Sequence, residues 1–205
     1  AVFGLLTYSV AGHRTVVFDS TANWYLHSWS SPSLDLVMQL GSTIGSRVII
    51  LPLGAAALVL LVRGGYRREA VFLLVSVAGG IVANSALKEL FQRARPSLPW
   101  AEHIPEYSFP SGHSMGACIF YVGLAAVVWS VLGRCAGVPA LLLSVLIVAW
   151  VGSSRIYLGF HYFSDVLGGA IAGLLWLVVV ATVVKRGGKL TRGRRRHARS
   201  MLSPS

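Results

Sequence analysis

The sequence predicts an all-α, polytopic membrane protein. Two observations carry this expectation. Of 205 residues, 55% are hydrophobic and only 12% are charged. The apolar residues also gather in runs close to the ~20 residues a helix needs to cross a bilayer. A soluble domain carries about 25% charged residues, so this chain lacks the polar surface that water requires. The same composition excludes intrinsic disorder, which needs low hydrophobicity and high charge. Cys118 and Cys135 are too few for a disulfide framework and stand in no metal-ligand spacing. The 22 glycines follow no collagen period. A net charge of +11 raises nucleic acid as a partner, but the placement of that charge argues for a membrane.

Five runs are read as spans in chain order: 44–62, 70–87, 114–132, 138–151 and 166–184. Residues 1–12 are apolar but too short to span. They are read as the end of a first helix, with the apolar region of a signal sequence as the other reading. No A-x-A-like cleavage site follows, which favours the helix. The expectation is therefore six transmembrane helices, the first incomplete, in one domain over 1–184. A basic cytoplasmic tail follows over 185–205. Between the first two spans, residues 14–42 are polar with interspersed Trp and Tyr. Two readings stand for them: a connection lying on the membrane surface with a short amphipathic helix near 33–40, or an ordinary loop.

Orientation follows from Lys and Arg, which accumulate on the cytoplasmic side. Residues 63–68, the turn 133–137 and the tail carry 12 of the 18 basic residues, and alternating helices place all three on one side. Arg194, Arg195 and Arg196 follow an uncharged span, where basic clusters anchor topology and lie against anionic lipid. Membrane lipids, rather than nucleic acid, are the expected partners. The opposite side receives 14–42, 93–109 and 153–162, with Trp24, Trp29 and Trp100 at interfacial positions. The expected location is the inner membrane.

The polar residues at helix ends on that outer side carry the chemistry. Lys88 and Arg95 are seven residues apart, about two helical turns, which predicts a shared face before Pro96 ends the helix. Pro110-Ser111-Gly112-His113 precedes an apolar span, and Ser108 is a candidate cap. A helix start with Ser and Gly presents free N–H groups suited to a phosphate. His161 and Asp165 have the i, i+4 spacing that stacks side chains on a helix, and Arg155 lies near them. A carboxylate beside a histidine fixes its tautomer and raises its basicity. Each cluster alone also fits a structural role. Together they bring three cations, two histidines, a carboxylate and a helix N-terminus to one side. Such a set suits a bound phosphate with a nucleophile and an acid, and the cations would repel a metal ion, so no metal or other cofactor is expected.

These residues resemble the motifs of the type 2 phosphatidic acid phosphatase (PAP2) superfamily of membrane lipid phosphatases. The first motif corresponds to Lys88, Arg95 and Pro96. The second corresponds to Pro110-Ser111-Gly112-His113, and the third to Ser154-Arg155, His161 and Asp165. Eleven positions match in order, and the helix layout matches over nearly the whole chain. The size is similar to that of small bacterial phosphatidylglycerophosphate and undecaprenyl pyrophosphate phosphatases. The resemblance implies that His161 is the nucleophile forming a phosphohistidine, that Asp165 orients it, and that His113 is the acid and then the base. It implies that Lys88, Arg95, Arg155, Ser111 and the Gly112 N–H hold the phosphate, without a metal. The substrate would be a phosphorylated lipid. A phosphotransferase using the same residues with an acceptor other than water is the alternative. Vanadium haloperoxidases share the pattern, but they are soluble and the apolar spans exclude them.

Overall fold

A computed structural model describes residues 2–102 and 104–201, with side chains described over 3–102 and 104–186. Among these residues there is no strand. The helices are α1 (Val2–Ala11), α2 (Val16–His27), α3 (Pro32–Ile44), α4 (Arg47–Arg63), α5 (Arg67–Phe91), α6 (Gly112–Leu132), α7 (Arg134–Tyr157) and α8 (Phe163–Met201). In hydrocarbon, backbone N–H and C=O groups have no water to bond, so a helix that satisfies them within its own segment is the available form. Helices α5 to α8 are long and apolar enough to cross a membrane, and α3 with α4 makes a fifth candidate bent by 47°. In the most apolar window of α7 only 22% of residues are buried inside the protein. Its exposed Leu142, Leu143, Val145 and Leu146 are therefore read as lipid-facing.

The apolar core lies along α6. Ile50, Leu61, Leu73, Phe120 and Val127 join α4, α5 and α6, while Met115, Ile119, Ala172 and Leu177 join α6 to α8. Without a hydrophobic drive between helices in lipid, small residues set how closely they approach. Gly41 and Gly45 do so between α3 and α7: a Cβ on Gly41 would meet Trp150 at 2.7 Å, and one on Gly45 would clash with Val151. Gly168, Gly169 and Gly173 do so between α8 and the start of α6. Polar cross-links add direction, with Trp176 Nε1 donating to the Ser76 carbonyl at 2.9 Å and Tyr121 to the Ile44 carbonyl at 2.9 Å. Gly133, at φ 81° and ψ −173°, takes a positive-φ conformation open to glycine and turns α6 directly into α7.

Several expectations need correction. Residues 14–42 are not an ordinary loop: α3 takes in the short helix expected near 33–40, and α2 is a further helix that was not expected. Ser31 caps α3, accepting the Leu34 N–H at 3.3 Å, and Pro32 occupies its first turn. Helix α2 buries Asp19 and Asn23, so its inward face is partly polar and gives no apolar stripe to read. The span expected at 44–62 is the second limb of a bent pair. The turn at 133–137 is reduced to Gly133, and α7 runs to Tyr157, so Ser154 and Arg155 are helical. Helix α1 has 10 residues, which makes six an approximate count of spans. Beyond Arg186 the expected basic tail, with Arg194, Arg195 and Arg196, lies outside the residues with described side chains.

The contact between α8 and the start of α6 is testable. A Cβ on Gly169 would fall 2.6 Å from the Ser111 carbonyl oxygen, a backbone atom with no rotamer to change. Gly169→Val is expected to cost about 1–3 kcal/mol and to lower the melting temperature in detergent. Gly4→Val, with nothing within 4 Å of the new Cβ, should leave it unchanged. Thermal melts followed by size-exclusion chromatography measure both.

Candidate active site

Helix α5 ends earlier than expected. Gln92 takes the left-handed conformation (φ 45°), and its N–H closes the helix on the Lys88 carbonyl. Arg95 therefore stands in the irregular segment after the helix, not on a face shared with Lys88. The two cations still meet, at Glu106. Lys88 Nζ lies 2.9 Å from Glu106 Oε2, and Arg95 Nη2 lies 3.8 Å from the same oxygen. Arg95 also donates from Nε to the Glu106 carbonyl at 2.9 Å and from Nη1 to the Phe160 carbonyl at 2.8 Å. Its Nη1 is 3.3 Å from His161 Nε2.

The segment before α6 is held from several sides. The Ser108 N–H donates to the Arg93 carbonyl at 2.7 Å, and Asn84 Nδ2 donates to the Pro110 carbonyl at 3.3 Å. Ser108 does not cap α6. Its hydroxyl donates to Asp165 Oδ2. Ser111 is the cap, and its Oγ accepts from the Ser114 N–H at 3.4 Å and the Ser114 hydroxyl at 3.2 Å. Its own N–H donates to the Asp165 carbonyl at 3.0 Å. Ser111 is fully buried, and its Oγ is engaged with the first turn of the helix. Gly112 opens α6, and a Cβ there would meet Asn84 Oδ1 at 3.0 Å. His113, half-buried in the first turn, lies within electrostatic reach of Arg155, His161, Arg95 and Lys88.

His161 is not helical either. It sits in the turn between α7 and α8, and Asp165 is in the first turn of α8. The two still meet, with His161 Nδ1 3.5 Å from Asp165 Oδ2. Gly159, at φ 76°, shapes this turn, where a Cβ would fall 2.8 Å from that of Ala101. Burial pushes the His161 imidazole down to about 4, with the Asp165 hydrogen bond opposing that shift. At neutral pH His161 is therefore uncharged. An Nδ1–H directed to Asp165 puts the lone pair on Nε2, where the Arg95 guanidinium donates to it at 3.3 Å. Arg155 is buried, donates to Ser42 Oγ at 2.5 Å and lies 4.1 Å over the Phe160 ring. Its Nε has no hydrogen-bond partner among the described residues.

The structure thus gathers Lys88, Arg95, His113, Arg155, His161 and Asp165 at one end of the bundle. Next to them opens a cavity of about 730 Å³ lined by Lys88, Arg95, Glu106, Arg47 and Tyr107. The sequence alone did not point to Glu106, Arg93 or Asp19. Arg93 bridges Asp19 and Asp165 (2.8 and 2.5 Å). Arg93 is a third cation in the stretch from Lys88 to Arg95, but nothing in the spacing tied it to Asp19, 74 positions away.

Known proteins resemble this chain in sequence and in fold. The profile of the PAP2 superfamily matches residues 69–189. Phosphatidylglycerophosphatase B of Bacillus subtilis is 32% identical over 156 residues, 73% of this chain and 74% of that protein. A putative undecaprenyl-diphosphatase of Escherichia coli is 29% identical over 62% of this chain and 63% of its own. The crystal structure of a transmembrane PAP2-type phosphatidylglycerolphosphate phosphatase from Bacillus subtilis superposes with a TM-score of 0.80 at 27% identity. It covers 90% of this chain and 93% of that one.

Glu106 has a testable consequence. Its carboxylate occupies the anion position between Lys88 and Arg95, and the Lys88 hydrogen bond holds its pKa below the usual carboxylate range. An incoming anion must compete with it. Glu106→Gln is expected to tighten binding of inorganic phosphate or vanadate several-fold, read by isothermal titration. Unchanged or weaker binding would show that the carboxylate does not compete.

Proposed function

The chain belongs to the PAP2 superfamily, and on that premise we propose that it is an integral-membrane lipid phosphatase. The substrate is the phosphomonoester or pyrophosphate of a lipid: phosphatidylglycerophosphate, phosphatidic acid or undecaprenyl pyrophosphate. Relatives named as phosphatases support the reaction class. The observation that carries the reading is the neutral, buried His161 backed by Asp165, with Arg95, Lys88 and Arg155 around it.

In this reading His161 Nε2 attacks phosphorus. The N–P bond forms as the P–O bond to the lipid breaks, and His113 gives its proton to the departing oxygen. His113 then takes a proton from the water that attacks the phosphohistidine, which releases phosphate and restores both histidines. Lys88, Arg95 and Arg155 hold the phosphoryl oxygens and stabilise the charge on them in flight. Donors already in place before the reaction do most of the catalytic work in phosphoryl transfer, because they need not reorganise as charge develops. The N-terminus of α6 adds the Gly112 N–H, with Ser111 as its cap. These cations supply the charge a metal would otherwise bring. The proposed domain is 1–184 with a basic tail over 185–205. The proposed location is the inner membrane, with the site facing the periplasm.

Phosphate release by the purified protein from the three lipids, in EDTA, tests the function. Full loss restored by Mg²⁺ would overturn the mechanism, and transfer to an added acceptor instead of water would favour a phosphotransferase. The histidines separate in a pre-steady-state burst. His161→Ala should give no burst with any substrate. His113→Ala should lose about 10²–10⁴-fold with an alkyl phosphate yet keep a burst with p-nitrophenyl phosphate, whose leaving oxygen needs no proton. The reverse pattern would exchange the two roles.

Orientation is tested by Glu102→Cys in a Cys135→Ser background, with Cys118 buried. An impermeant maleimide should label intact spheroplasts. Labelling only after lysis would invert the topology.

A further inference from the structure

Helix α2 lies outside the residues that the family profile matches, yet its two buried polar side chains are committed to the segment bearing His161 and Asp165. Asn23 Nδ2 donates to the carbonyls of Ile156 at 2.8 Å and His161 at 3.1 Å. Asp19 is 0% exposed. Its Oδ1 accepts the Ser164 N–H at 2.9 Å, and its Oδ2 accepts the Ser164 hydroxyl at 2.6 Å and Arg93 Nη2 at 2.8 Å. Arg93 Nη1 donates to Asp165 Oδ1 at 2.5 Å, and its guanidinium lies 4.4 Å over the Tyr162 ring. Asp165 Oδ2 is the oxygen beside His161 and Ser108.

We propose that Arg93 and Asp19 are positioning residues for His161, acting through Asp165. Asp19 anchors Arg93, Arg93 holds one oxygen of Asp165, and the other oxygen is thereby aimed at the His161 imidazole. Asn23 holds the His161 backbone from the same helix. Arg93 differs in this from Arg95, two residues on. Both terminal nitrogens of Arg93 are engaged by buried carboxylates, so it has no free fork for a phosphate. Burying two carboxylates without a cation is strongly unfavourable, which accounts for an arginine at this place. The proposal rests on the role of His161 given above.

The test is a kinetic split with p-nitrophenyl phosphate in detergent. Asp19→Asn and Arg93→Lys should each lower kcat about 10–100-fold, the range for groups that orient a first ligand. KM and the vanadate inhibition constant should stay within about twofold. The double variant should be little worse than the worse single one, because both act through one contact. Ser164→Ala removes a hydroxyl from the same cluster without stranding a charge, so it keeps the test open if the charge variants fail to fold. It should lower kcat a few-fold at constant KM. A tenfold rise in KM or in the vanadate constant at unchanged kcat would make Arg93 a phosphate ligand and overturn the proposal. Folded variants with wild-type kcat would overturn it as well. Wild-type protein that releases no phosphate from any substrate would instead overturn the phosphatase reading itself.

Discussion

The Asp165 carboxylate is the group around which the end of the bundle is organised. It is fully buried, and a buried charge is tolerated only when protein groups replace the water it has lost. Its donors come from three places: Arg93 after α5, Ser108 before α6, and the Tyr162 N–H before α8, at 2.9 Å. Its carbonyl also receives the Ser111 N–H. Meeting the needs of this one anion fixes the chain segment after α5, the segment before α6 and the turn before α8 against one another. Those segments carry Arg95 and His161 and lead into His113 in the first turn of α6. The site is thus held by the same contacts that solvate Asp165.

The membrane-spanning part supplies what such a site requires of its scaffold. Helices that expose Leu and Val to lipid gain little from hiding them against each other. Close approach through Gly168, Gly169 and Gly173 brings the α8 start against the α6 start instead. At that closeness Ser111, which caps α6, also bonds the backbone of Asp165 in α8. The start of α6 is thereby tied to the residue whose carboxylate lies beside His161.

How far the sequence was legible follows from the range of each interaction. The long spans were readable because hydropathy is a property of consecutive residues, and the motif side chains because their spacing is local. The helical state of Arg95 and His161 was not readable from spacing. Lys88 to Arg95 fits two turns, but Gln92 ends the helix first, and His161 reaches Asp165 from a turn rather than along a helix. Helix α2, and the contacts that α2 and α3 make, were hidden for a different reason. Asp19, Asn23 and Asp35 read as solvent-facing, whereas Asp19 bonds Ser164, Asn23 bonds the Ile156 carbonyl, and Asp35 accepts from Tyr157. Each partner lies far along the chain, beyond any periodicity. The same kind of distance concealed the role of Arg93.

The charges at this end of the bundle divide by exposure. Arg93 sits between two buried carboxylates, a closed pairing. Lys88 and Arg95 share Glu106, whose side chain is 65% exposed against 0% for Asp165. An anion held at the surface is cheaply resolvated and readily exchanged, whereas one at depth is not. Arg155 has a hydroxyl and an aromatic face but no carboxylate within bonding distance among the described residues. Among the described residues, one buried cation therefore has no carboxylate partner and two more share an exposed one. A phosphoryl group placed near His161 would complete the first and replace the exposed carboxylate on the others.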